Sequence, residues 1–337
     1  MKVRTAAVSV AASVAALVLL QLAAAADEHL APEAAPLAVR NTLPAAQLYG
    51  LPRALGAGML RQGTEVTFGI DLGSNFTSDF EPDAGAFFDG ETTVFSLGFR
   101  APLGRRMEWG LEIPYVLHSS GFLDGFLETF HDVTGLSDGG RDQAPKNRLD
   151  YLVTYRGTDY ARFRKHKHHL GDVRGWLGFQ LHQSAARSLG VRAQVKLPTG
   201  RVKDLSGSDG TDGTLWLEYS DRALLASLGL SLSLMGGVVI LGDGDLAPDA
   251  QKDYAMVGHL GLQYAVTRRV TLMAQVDAHS QLLDTGVPQV ANGAVQGTLG
   301  GRWSISPSYW MDLGVIEDLR PQTSSDVVFQ IRMGARI

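Results

Sequence analysis

The residues whose types could do chemistry are few. His118, Ser119 and Ser120 stand together at the end of an alternating apolar run. A serine oxygen activated by a hydrogen-bonded imidazole would suit acyl transfer. Adjacent side chains on a strand point to opposite faces, so His118 and Ser119 cannot pair. Asp277 and His279 lie two apart on one face and could orient each other, but no nucleophile accompanies them. His166, His168 and His169, in RKHKHH, form a basic knot that could hold a metal ion or phosphate groups, or be a solvated loop. The acidic runs GSDGTDG from Gly207 and LGDGDLAPD from Leu241 could chelate calcium, yet neither matches an EF-hand, and Asp-Gly pairs are ordinary turn formers. The expectation is no catalytic residue, no metal site and no cofactor.

Composition narrows the class further. The 337 residues carry 30 Lys+Arg against 35 Asp+Glu, a net charge of −5, and no cysteine. Mild acidity argues against a nucleic-acid binder. The missing thiols exclude disulfide frameworks, Cys zinc sites and Fe–S clusters. Lys2 and Arg4 precede an Ala/Val/Leu run to Leu22, and Ala24 and Ala26 supply an A-x-A site, so residues 1–26 read as a cleavable signal peptide.

From about Thr64 onward, apolar residues recur at every second position in segments of roughly ten, the period of a strand with two different faces. Val66, Phe68, Ile70 and Leu72 open the series, and Val327, Phe329, Ile331, Met333, Ala335 and Ile337 close it. Twelve segments are counted, one of them starting at Leu224. None of their apolar-face positions is charged, although 19% of the chain is. The opposite face carries Glu65, Asp71, Arg100, Glu108, Glu112, Arg174, Arg192, Lys196, Glu218, Asp277, Arg302, Asp312, Arg332 and Arg336.

Three observations turn the apolar face toward lipid. Tight connections alternate with long ones, including a loop over 119–170. Trp109, Tyr219, Tyr264, Trp303 and Tyr309 gather where strands meet the tight turns, as in an interfacial girdle. An even strand count returns the C-terminus to the side of the N-terminus. The fold expected for residues 63–337 is therefore an all-β, transmembrane, antiparallel up-and-down barrel of about twelve strands in the bacterial outer membrane.

Within it, Arg100, Glu108, Glu112, Arg174, Arg192, Lys196, Glu218, Asp277, Arg302 and Asp312 should line the lumen. Acids and bases balance on the inward face, which suits paired charges filling a narrow interior better than an open pore. Residues 27–62 are too long for a mere leader and leave two readings open, a periplasmic tail or a plug. In the long loop, Phe122, Phe126, Phe130 and Val133 follow one helical stripe with His131 on its other side. That helix could be a hydrophobic gate or lie on a lipid surface; packing over the barrel mouth is the plainer reading.

Three stretches resemble an uncharacterised family of Gram-negative outer-membrane proteins, domain-of-unknown-function family 3187. They are PLAVRNTLPAAQLYGLPR (36–53), GFLDGFLETFHDVTGLSDGGR (121–141) and GDVRGWLGFQL (171–181). The resemblance spans roughly residues 36 to 337 and implies a barrel and its location, but no activity. One departure is the C-terminus, Ala335-Arg336-Ile337, where bacterial barrels usually end on an aromatic residue. The function expected is a narrow or gated passage for small solutes, including apolar ones recruited by the Phe stripe. The alternatives are a closed barrel with a structural or surface-interaction role, and an outer-membrane lipid-modifying enzyme. Expected partners are outer-membrane lipids and lipopolysaccharide, the barrel-assembly machinery and an unidentified small solute, with no nucleic acid.

Overall fold

The computed structural model describes residues 35–121, 148–287, 290, 292–320 and 323–337. The chain forms β1 (Glu65–Glu81), β2 (Ala84–Pro102), β3 (Met107–Ser119), β4 (Asp150–Tyr155), β5 (Thr158–Phe163), β6 (Lys167–Leu170), β7 (Val173–Gln183), β8 (Arg187–Leu197) and β9 (Asp212–Asp221). It continues with β10 (Leu230–Ile240), β11 (Tyr254–Ala265), β12 (Val270–His279), β13 (Ala294–Ser304), β14 (Tyr309–Asp318) and β15 (Val327–Arg336). Twelve of these close an antiparallel barrel: β1, β2, β3, then β7 to β15, with β15 paired back onto β1 from Glu65↔Arg336 to Ser74↔Val327. Closure leaves no barrel strand with an unpaired edge, which a wall facing hydrocarbon requires.

The alternation read from the sequence is the alternation of the wall. Phe68, Leu97, Trp109, Leu177, Val195, Leu217, Leu260, Val276, Leu299, Leu313 and Met333 point outward and are exposed. Their neighbours Glu108, Arg192, Lys196 and Glu218 point inward and are buried. Of the aromatic girdle, Trp109, Trp303 and Tyr309 lie exposed at the tight-turn end. Tyr264 does not; it is buried, and a Cβ on Gly229 would come within 2.9 Å of its ring.

One strand boundary differs from expectation. The segment from Leu224 to Leu228 alternates in phase with β10 but forms a connection containing a 3-10 turn, Ala226–Leu228. Gly229, at φ 69°, reverses the chain before Leu230 starts the strand.

The long connections build a cap at the opposite end. β1 and β2 run on together as far as Glu81↔Ala84, and β4 adds to that extension beside β2, followed by β5. The β4–β5 hairpin turns at Arg156 and Gly157, both at positive φ, as a two-residue turn matched to strand twist demands. Phe88, Tyr151, Val153 and Phe163 from this sheet share one apolar core with Leu205, Leu246 and Leu283 from other loops. Within the described residues the loop of 119–170 is thus strand, not helix. The expected helix bearing Phe122, Phe126, Phe130 and His131 lies outside the described residues.

Candidate functional site

The lumen is occupied by the protein's own chain. Residues 37–42 climb inside the barrel, 43–49 turn within the cap, and 50–62 descend to the tight-turn end. There Thr64 and Ile337 exchange main-chain hydrogen bonds of 2.7 and 2.9 Å. The sequence explains why this stretch builds no regular element of its own: prolines and glycines recur through it, at Pro36, Pro44, Gly50, Pro52, Gly56 and Gly58. Its main-chain groups must then find partners on the wall, because a buried unpaired N–H or C=O is costly.

The wall supplies them from both directions. Asp212 accepts the N–H of Gly50 at 2.7 Å, Glu218 that of Leu55 at 2.7 Å, Gln180 that of Met59 at 2.8 Å and Glu108 that of Leu60 at 2.7 Å. Lys196 donates to the carbonyl of Leu48 at 3.0 Å, Gln194 to Gly50 at 3.0 Å, Arg192 to Gly56 at 2.8 Å and Arg100 to Gly58 at 2.7 Å. Arg174 reaches the carbonyls of Gln47 and Tyr49 at 3.2 and 3.3 Å. On the far side, the Gln275 amide takes both main-chain groups of Leu37 at 3.0 Å each, and Gln330 donates to Ala38 at 3.0 Å.

Charge fixes the descending limb and, through Arg40, ties the climbing one to the same carboxylate. Arg53, fully inside, donates to Asp71 at 2.6 Å and to Glu112 at 3.0 Å. Arg40 donates to the other oxygen of Glu112 at 2.6 Å, and Arg174 lies 3.6 Å from that same oxygen. Lower down, Glu108 accepts from Arg100 at 2.7 Å and Arg192 at 2.9 Å, while Arg192 also pairs with Glu218. Lys196 sits between Asp172 at 2.8 Å and Asp212 at 3.1 Å. Taking such charges out of water is tolerable only because each meets several partners.

The wall is also shaped to the segment. A Cβ on Gly178 would lie 2.7 Å from the Met59 sulfur, and one on Gly190 would lie 2.7 Å from the Ala57 carbonyl oxygen. Across the barrel, Gly300 and its cross-strand partner Gly314 leave room for Leu37, whose Cδ1 would be 2.7 Å from a Cβ on Gly300. Cavities of ≈ 20 Å³ beside Arg40, Arg53 and Arg174, and of ≈ 30 Å³ beside Asn41, Asp277 and His279, have room for single waters.

Of the ten residues expected to line the lumen, Glu108, Glu112, Arg174, Arg192, Lys196, Glu218 and Asp312 are buried, and Arg100, Asp277 and Arg302 are half-buried. Arg302 and Asp312 meet each other in a two-pronged pair of 2.7 and 2.8 Å. Asp277 does not orient His279. It accepts from His259 at 2.9 Å and from Gln275 at 2.8 Å, whereas His279 meets Asn41 at 3.0 Å. His259 continues to Ser233 at 3.0 Å, which reproduces the connectivity of a Ser-His-Asp relay. Ser233 and His259 are both buried, and the Ser233 oxygen already takes a hydrogen bond from Gln263 at 2.9 Å. In this arrangement the Ser233 oxygen is enclosed and already engaged, and Asp277 joins the trio to Gln275, which holds Leu37.

The remaining candidates are engaged separately. His118 points inward, buried between Thr92 and the Leu205 carbonyl, at 2.9 and 3.2 Å. In the basic knot, His166 meets Ser120, His168 meets Tyr115 and His169 meets its neighbour's carbonyl, so the three do not converge. In GSDGTDG, Asp209 accepts the Val202 N–H at 3.1 Å and Asp212 serves the lumen. Sequence reasoning missed Arg40 and Arg53 as site residues, and it missed Asp172 and Asp212, which sit where strand alternation stops.

The family signature of DUF3187, a protein family of unknown function, matches residues 12–337. The chain belongs to the DUF3187 family. No curated protein matches it. Among solved structures, the DUF3187 barrel is similar to the COG4313 outer-membrane channel of Pseudomonas putida F1, with 13% identity over 83% of this chain and 98% of that one, TM-score 0.55. It also matches the NanC porin (10% identity, 81% and 98% covered, TM-score 0.45) and the Ralstonia pickettii toluene transporter TbuX (12%, 91% and 96%, TM-score 0.39). The first likeness supports the fold: a closed, twelve-stranded outer-membrane-type barrel.

Proposed function

We propose that this DUF3187 protein is a gated passage across the outer membrane, closed at rest by residues 35–62. The observation that carries the reading is the set of hydrogen bonds from inward side chains to the main chain of residues 37–60. A segment held by separable polar contacts can leave without breaking the barrel, whose strands pair with one another independently of it. The polar, charged lining supports hydrophilic solutes. The apolar-solute expectation rested on a Phe stripe outside the described residues.

The test is single-channel conductance of the refolded mature protein in a planar bilayer, with and without residues 27–62. Rare steps in the full chain and sustained steps after truncation are expected. Silence in both would overturn the passage and favour the second reading, a closed barrel with a role in structure or surface interaction. The filled lumen is the observation that keeps this second reading in view.

A further inference from the structure

We infer that the lumen is a binding channel for short, extended, cationic peptides, and that residues 37–60 occupy it as a tethered ligand. The inference rests on the gated-passage reading and names its solute class. From residue 34 to residue 64 the chain carries Arg40, Arg53 and Arg61 and no acid. Residues 50–60 run without helix or strand, and the wall reads both donors and acceptors of their main chain, as a groove reads a peptide. Those contacts are to main-chain atoms, so they accept other sequences that keep glycine where Gly56 takes φ 87° and are lean enough to pass Gly178 and Gly190.

Selectivity comes from one place. The Arg53 guanidinium is seated between Asp71 and Glu112, with 2.6 and 3.0 Å hydrogen bonds to two separate carboxylates. A guanidinium in such a clamp gains two charge-assisted hydrogen bonds that a neutral side chain cannot replace. Free peptide must compete with a segment whose tether gives it a millimolar effective concentration, so the native chain admits peptide only when the segment is out.

The full-length variant Arg53→Gln/Ala57→Trp leaves the wall intact while removing the charge at position 53 and overfilling the space beside Gly190. Two fluorescein-labelled peptides are titrated into it and followed by anisotropy: GLPRALGAGML, copied from residues 50–60, and the same peptide with glutamine in place of arginine. The arginine peptide should bind at least about tenfold more tightly, and adding Asp71→Asn and Glu112→Gln should erase the difference. The same peptide should block the variant's currents. Equal binding of the two peptides, or none, would overturn the inference even if the variant conducts. Binding without conductance would uphold the peptide site and overturn the passage.

Should the variant fail to fold, the native chain with Arg53→Lys or Arg53→Gln reads the same clamp through its closed-state lifetime. The order Arg, Lys, Gln from longest to shortest is expected, and equal lifetimes would overturn it.

Discussion

The two halves of the lumen hold the same segment by different means. On β1–β3 and β7–β9, the wall meets residues 47–60 with ionised groups: Asp71, Glu108, Glu112 and Glu218 accept, and Arg100, Arg192 and Lys196 donate. On β10–β15 and the loop before β15, Leu37, Ala38 and Thr42 meet neutral amides and a hydroxyl from Gln275, Gln330 and Ser325, beside a small apolar cluster of Met273, Ile316 and Val328. Arg302 pairs with Asp312 strand to strand, and Arg40 alone of residues 37–42 reaches across to Glu112. The charged half is specific in register and costly to break. The neutral half is adaptable and cheaper to leave. An opening that begins at residues 37–39 and ends with release of Arg40 and Arg53 from Glu112 follows from that difference.

Glu112→Gln should have the largest effect on this asymmetry. It strips Arg40 of its carboxylate partner and Arg53 of one of two, and breaking a buried pair from one side costs about 3–5 kcal/mol. The open fraction in bilayer recordings should rise by at least about 100-fold, at 1.4 kcal/mol per tenfold. Arg53→Gln should follow at about 2–3 kcal/mol, because Asp71 keeps its 2.7 Å bond from Gln330 when the guanidinium is gone. Gln275→Leu, on the neutral half, removes both bonds to Leu37 and should cost about 1–2 kcal/mol in the same recordings. Ser233→Ala should shift opening by less than about 0.5 kcal/mol, since its bonds run within the wall. A reversed order, with Gln275→Leu above Glu112→Gln, would place the anchor on the wrong half.

The barrel was legible in the sequence because lipid tolerates no charge on one face and strands repeat with period two. The outward residues Val66 to Leu72 of β1 and Val173 to Phe179 of β7 follow from that pair of facts, whereas the extension of β1 to Glu81 and the register shift of β7 after Gln180 do not. The segment inside was not legible. Leu37 to Leu60 has no period, and its partners lie far along the chain, from Asp71 to Gln330. Asp212 could not be told from a turn residue, because the Asp-Gly pair that starts β9 reads the same in both roles. Leu224 and Leu228 misled in the opposite sense: their alternation continues that of β10, and only the positive φ of Gly229 separates them from it.

The most direct test of the gate ties the segment to the wall and then frees it. The Thr42 and Ser325 hydroxyl oxygens lie 3.0 Å apart, and the chain contains no other cysteine to compete with a pair placed there. In the variant Thr42→Cys/Ser325→Cys, the oxidised protein should be electrically silent at every voltage. After reduction it should show the conductance steps of the native chain. Identical steps in both redox states would contradict the account, because current would then be passing a lumen whose occupant cannot leave.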